Sequence, residues 1–117
     1  MNTLGQAGEA QARQYLQHQG YHLIAQNFSC KYGEIDLIVS KGRLLVFVEV
    51  KQRAGTAFGG ALGAVTKAKQ NKIALTAAEF IKENGLKFDS IRFDVICITG
   101  GELTHLQNAF FPPRMTV

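Results

Sequence analysis

Residues 33–53, GEIDLIVSKGRLLVFVEVKQR, decide how this chain folds. Apolar and polar residues alternate on both sides of Lys41-Gly42, and a period of two marks a β-strand. Gly42 can supply the positive φ of a tight turn, so the stretch reads as a hairpin with a two-residue connection at Lys41-Gly42. That register pairs Ser40 with Arg43, Asp36 with Phe47 and Glu34 with Glu49. Opposed residues share a face, so Glu34, Asp36, Glu49 and Lys51 project from one side. Ile35, Leu37, Val46, Val48 and Val50 project from the other and form a core face. A turn one residue longer would send Asp36 to the opposite side, so the grouping depends on turn parity. A hairpin this apolar belongs in the middle of a sheet, where charge is costly unless it has a task.

The flanking segments supply helices and further strands. Residues 3–19 predict a helix capped by Thr3, with Leu4, Ala7, Gly8, Ala12, Tyr15 and Leu16 on one side and Gly20 as its stop. Tyr21–Phe28 reads as a strand and Ser29–Tyr32 as its connection to the hairpin. A second helix runs from about Ala64 to Asn84, with Val65, Ala68, Ile73, Ala77, Phe80 and Ile81 on its apolar side and Gly85 after it. Ile91–Thr99 is a β-branched strand, Gly100-Gly101 a tight turn, and Leu103–Phe110 a last strand at an edge, ended by Pro112-Pro113. The order α-β-β-β-α-β-β predicts an α/β fold, a mixed central sheet flanked by helices. A chain of 117 residues makes a single domain, 1–117, with 111–117 an irregular tail.

Composition narrows the function classes. The content is 46% hydrophobic and 19% charged, which is ordinary for a globular protein. The longest apolar run, Leu44–Val48, is far too short to span a membrane, and the first residues lack the apolar core of a secretory signal. Cys30 and Cys97 sit in apolar segments without metal-ligand spacing and read as small buried hydrophobes, which suits a cytoplasmic location. Thirteen Lys and Arg against nine Asp and Glu give a net charge of +4. Between Val50 and Ala78 there is no acidic residue, yet Lys51, Arg53, Lys67, Lys69 and Lys72 all occur. Such a one-sign stretch suits a nucleic-acid backbone, and equally a solvated helix face.

In the expected register Asp36 and Glu49 are diagonal neighbours, their backbones about 7–8 Å apart. Two carboxylates at that separation can converge on a hard cation such as Mg²⁺ or Mn²⁺, with water and phosphate oxygens completing its shell. Lys51, on the same face, can assist an attacking water or stabilise charge growing on phosphorus. This is a minimal set for metal-assisted phosphodiester hydrolysis. The bland alternative is an exposed hairpin face carrying a Glu–Lys ion pair. Glu9 falls at the margin of the first helix's apolar stripe, pointing into a cleft or lying along the boundary. Lys69 lies between Val65 and Ile73 at helical spacing and can contact a phosphate; Lys67 and Lys72 add general positive potential. Asp94 can pair with Arg92 or Lys87. The glycine-rich segment 54–64, AGTAFGGALGA, lacks the P-loop pattern and suits a mobile loop beside a site that admits a large ligand. His18, His22 and His105 have no motif spacing.

Six ordered motifs carry a resemblance over nearly the whole chain. They are Gly5, Gly8, Glu9, Ala12, Tyr15 and Leu16 in the first helix, GEIDLI at 33–38, VFVEVKQR at 46–53, VTKAKQNKI at 65–73, RFDVICI at 92–98 and NAF at 108–110. Together they resemble the YraN family, bacterial proteins grouped with PD-(D/E)xK nucleases and similar to archaeal Holliday-junction resolvases. The resemblance implies a restriction-endonuclease-like αβββαβ core. It implies catalytic roles for Asp36, Glu49 and Lys51, with Glu9 as a further acidic contributor and Asp36 and Glu49 holding Mg²⁺ or Mn²⁺; polar residues of the second helix near the metal make Gln70, beside Lys69, a candidate nucleic-acid contact. Glu34 and Gln52 are accessory candidates. The sequence departs from the family at Gln52, where a Thr is usual, and at Gly63, where a Glu is common. The expected function is a metal-dependent endonuclease acting on DNA, branched or repair-associated; the alternative is a nucleic-acid-binding module that does not cleave. Many junction resolvases are dimers, which makes a homodimer an expectation with no interface legible in the sequence.

Overall fold

The computed structural model describes residues 3–53, 65–85 and 87–111, with the side chains of 3–6 and 53 outside it. In chain order the elements are α1 (Thr3–His18), β1 (His22–Cys30), β2 (Gly33–Lys41), β3 (Leu44–Arg53), α2 (Lys67–Asn84), β4 (Ser90–Thr99) and β5 (Glu102–Leu106). The strands form one sheet in the order β1-β2-β3-β4-β5. β3 and β4 are parallel and joined across α2, while every other neighbouring pair is antiparallel. The protein is an α/β fold with a mixed sheet, and β3 is its middle strand.

Both faces of the sheet are covered. Ile38, Leu45 and Phe47 pack with Ile73, Ala77 and Phe80 of α2. Leu37, Val39, Val46 and Val48 pack with Ala12 and Leu16 of α1. Each fully buried side chain of this size contributes about 1.5–3 kcal/mol, against about 0–1 for an exposed ion pair. The apolar residues therefore set where the hairpin lies, and its charges must accommodate that position.

The hairpin turn lies one residue later than its sequence suggests. Lys41 pairs with Leu44, so the two turn residues are Gly42 and Arg43. Gly42 has φ 61°, and Arg43 is not among the non-glycine residues at positive φ. A two-residue turn with glycine in the first central position needs positive φ only there, whereas Lys41-Gly42 would have placed glycine second. The register consequently moves by two residues, with Ser40 opposite Leu45 and Leu37 opposite Val48. An even shift preserves parity along the paired residues, which end at Leu37↔Val48; Asp36 lies just beyond them and shares a cleft with Glu49.

One face assignment is corrected. Ile35 belongs to the α2 side, in the same cluster as Ile38, and not with Leu37 and Val48. Residues three apart on one face mean that strict alternation fails between them, at Asp36. β1 breaks at the same level: Ala25 and Phe28 both pack on the α2 side, and Asn27 between them has φ 54°. Asn is among the residues that tolerate this left-handed conformation. The local twist frees Asp36 from the regular ladder.

Boundaries also moved where end chemistry decides them. Thr66 caps α2, its hydroxyl accepting from Lys69 N at 3.2 Å, and Gly85 closes it with φ 59°. The helix thus starts at Lys67 rather than Ala64, Val65 packs from outside it, and Ala68 is exposed. β1 extends to Cys30, leaving Lys31–Tyr32 as the connection, and β5 ends at Leu106 because Asn108 turns with φ 57°. Segment 54–64 and residues 112–117 lie outside the described residues.

Candidate active site

β2 and β3 stop pairing at Leu37↔Val48, and the site is built where they part. Asp36 Oδ2 accepts the Val50 backbone N–H at 2.8 Å, replacing the ladder bond with a side-chain one. Glu49 is buried, with 9% of its side chain exposed, and its Oε2 receives two ammonium groups. Lys69 Nζ reaches it from α2 at 2.8 Å and Lys51 Nζ from β3 itself at 3.3 Å. A cleft of ≈ 450 Å³ opens over this group, bordered by Glu34, Thr66, Lys69 and Lys72.

The electrostatics follow from crowding. Burial and the neighbouring Glu49 push the Asp36 carboxyl up from 3.8 to about 7, with Glu9 and Glu34 adding to the rise and the Val50 amide opposing it. Burial lowers the Lys51 ammonium, as does its pairing with Lys69. Burial acts the same way on Lys69, but its short contact with Glu49 outweighs it and leaves Lys69 raised. The site contains a carboxyl poised near neutrality and a lysine that gives up its proton more readily than a free one.

The structure brings Asp36, Glu49, Lys51 and Lys69 together, with Glu9 close enough on α1 to act on Asp36. Glu34 and Lys72 are exposed at the cleft rim, while Lys67 is exposed at the start of α2. Gln70 turns away from the cleft to donate to the Val65 carbonyl at 3.1 Å. Gln52 lies against Gly8 of α1, and its Oε1 is buried without a hydrogen-bond partner among the described residues. Arg53 ends β3, its side chain outside the described set. Sequence spacing placed Lys69 toward a phosphate and gave no hint of its bond to Glu49, because α2 and β3 meet only in the tertiary fold.

A second charged group lies on the α1 side. Arg92 grips both oxygens of Asp94 at 2.8 Å and donates to Tyr21 Oη at 2.6 Å. His105 Nε2 lies 2.6 Å from Asp94 Oδ2 and its Nδ1 3.0 Å from Tyr15 Oη. The Asn108 amide donates to Asp94 Oδ1. Burial would raise Asp94, but His105, Arg92 and Asn108 outweigh it and hold the carboxyl low. This network ties α1, β4, β5 and the residue ahead of β1 together, with Arg92 as the partner of Asp94 and His105 bonded inside it.

An αβββαβ core with paired acids and lysines where the central hairpin parts defines a restriction-endonuclease-like α/β protein. The family model described as "Uncharacterised protein family UPF0102" matches residues 8–98, and the chain belongs to that family. It is 46% identical over 110 residues to a UPF0102 protein of Saccharophagus degradans, covering 93% of each chain. It is 44% identical over 108 residues to UPF0102 protein YraN of Escherichia coli, covering 91% of this chain and 82% of that one. A UPF0102 protein of Sulfurihydrogenibium sp. is 43% identical over 106 residues, covering 91% and 92%. No helix among the described residues is long and apolar enough to cross a membrane.

Proposed function

We propose that this protein is a Mg²⁺- or Mn²⁺-dependent endonuclease that hydrolyses DNA phosphodiesters. The observation that carries the reading is the meeting of Asp36, Glu49 and Lys51 at the parted end of β2 and β3. Burial and Glu49 oppose the charged form of Asp36, a frustration that a bound dication would relieve. Asp36 and Glu49 both line the cleft. Mg²⁺ typically takes one or two carboxylates and fills its remaining positions with water and phosphate oxygen, a requirement that this pair of acids suits. Asp36 and Glu49 would hold it, and when bound it supplies Lewis-acid stabilisation of phosphate charge.

The chain's own residues account for the rest. Lys51 Nζ can orient a water at the phosphorus or exchange a proton with it, its basicity tempered by burial. As the water oxygen bonds to phosphorus, one P–O bond breaks, giving a phosphomonoester and an alcohol. Lys67 and Lys69 lie in the first turn of α2, which holds no acid, although a helix start favours anions. Cationic side chains there cost a little stability, and Lys69 with Lys72 gives the cleft a positive lip for the substrate backbone. The likeness to PD-(D/E)xK nucleases and junction resolvases supports branched or repair-associated DNA as substrate and a homodimer as the working form.

The test uses labelled linear, nicked and four-way-junction DNA with and without Mn²⁺. Metal-dependent cleavage by the wild type, lost in Asp36→Ala and Lys51→Ala, is the expected result. Salt-sensitive binding with no cleavage of any substrate would identify a binding module instead. No binding at modest salt would overturn both readings.

A further inference from the structure

Glu49 Oε2 is shared between two ammonium groups of different character. Lys51 is fixed on the same strand two residues away, with 15% of its side chain exposed. Lys69 comes from the first turn of α2, makes the shorter contact at 2.8 Å, and is 39% exposed at the cleft wall. Asp36 and Glu49 carry two negative charges when ionised, and the two lysines balance them. Adding a dication with both lysines in place would leave two uncompensated positive charges in a half-buried group. Of the two cations, Lys69 is the one with an open path to solvent.

We infer that Lys69 is a displaceable counter-ion: it occupies the cation position on Glu49 in the metal-free protein, and a divalent cation releases it to a substrate phosphate in the cleft. This rests on the metal-site reading of Asp36 and Glu49 given above. The released ammonium stays beside Thr66 and Lys72, which line the same cleft. A cation that displaces Lys69 and a phosphate that captures it favour the same state, so each raises the affinity for the other. While Asp36 is ionised, Lys69 keeps the metal-free site neutral and closed to stray cations of low affinity. A fixed ion pair, with Lys69 bound to Glu49 in every state, predicts no such linkage.

Two measurements on the full chain decide between them. Lysine acetylation read by mass spectrometry reports release directly, with exposed Lys67 as internal reference. Mg²⁺ should raise the Lys69-to-Lys67 labelling ratio severalfold in the wild type and leave it unchanged in Asp36→Asn. Mn²⁺ binding followed by electron paramagnetic resonance, without DNA, should be at least about fivefold tighter in Lys69→Met, because the competing ammonium on the buried Glu49 is gone and even an exposed pair is worth up to about 1 kcal/mol. Lys69→Gln serves as a second variant of the same sense. If Mn²⁺ binds the wild type but the labelling ratio does not move, the counter-ion role is overturned and the metal site stands. If neither wild type nor Lys69→Met binds Mn²⁺ at millimolar concentration, the metal site falls and the counter-ion role with it.

Discussion

Asp36 holds its carboxyl against Glu49, Glu9 and Glu34 while accepting a single backbone N–H. Its pKa lies near 7 folded and 3.8 in the unfolded reference, so between those values the folded state binds more protons. Stability therefore falls as pH rises from about 4 to about 7 and is flat above. At about 1.4 kcal/mol per pH unit the ceiling of this effect is about 4 kcal/mol. Asp36→Asn retains an acceptor for Val50 and removes the charge. Its metal-free melting temperature should exceed that of the wild type at pH 8, and its pH dependence between 4 and 7 should flatten. Asp94 is the opposite case, a carboxylate with a partner for each oxygen. Asp94→Ala leaves Arg92 and His105 facing a buried void and should cost about 3–5 kcal/mol in urea unfolding. The two acids are alike in the sequence, each a lone Asp among apolar strand residues. Arg92, two residues from Asp94, was legible as its partner; His105, the Asn108 amide, Glu49 and the Val50 amide, which complete the contrast between a satisfied carboxyl and a frustrated one, come from elsewhere in the fold.

α1 docks on the end of β3 through a close approach at Gly8. A Cβ built there would meet the Gln52 side chain, whose Oε1 is already buried and unpaired among the described residues. Glycine inside a helix costs about 0.5–1 kcal/mol relative to alanine, so it is retained for the space it leaves. Gly8→Ala should lose that gain by displacing Gln52. In a Gln52→Ala background, the same change should stabilise by about 1 kcal/mol, and the coupling is read from a double-mutant cycle of urea melts. The hairpin shows the same dependence on context at a larger scale. Its strands, their length and the side of the sheet taken by Asp36 and Glu49 were legible, because alternation and turn parity are local properties. The turn residue was off by one and Ile35 was assigned to the wrong face. Glycine's place within the turn follows from the register of β2 on β3, and the break at Asn27 and Asp36 from how β1 pairs with β2.

At the scale of the whole molecule, β3 is flanked by strands on both edges and covered by a helix on each face. Its amides, with those of β4, should exchange with solvent only through global unfolding, whereas β1, an edge strand with mostly exposed or half-exposed residues, should exchange by local opening. Hydrogen-exchange mass spectrometry on β3 and β1 peptides checks this, and equal protection in both would contradict the layered core. The arrangement explains where chemistry is placed. Function needs charge where the sheet is rigid, and the parted end of the central hairpin supplies rigidity and access together.

The sequence by itself determined the order of elements, the central hairpin, the family, and the common side shared by Asp36 and Glu49. All of these rest on short-range periodicity or on motifs contiguous in the chain. Tertiary structure alone decided that Lys69 bonds to Glu49, that Gln52 lies against Gly8 of α1, and that Asp94 reaches His105 and the Asn108 amide. Those contacts join residues from different elements, and their geometry is fixed by how the two helices pack on opposite faces of one twisted sheet.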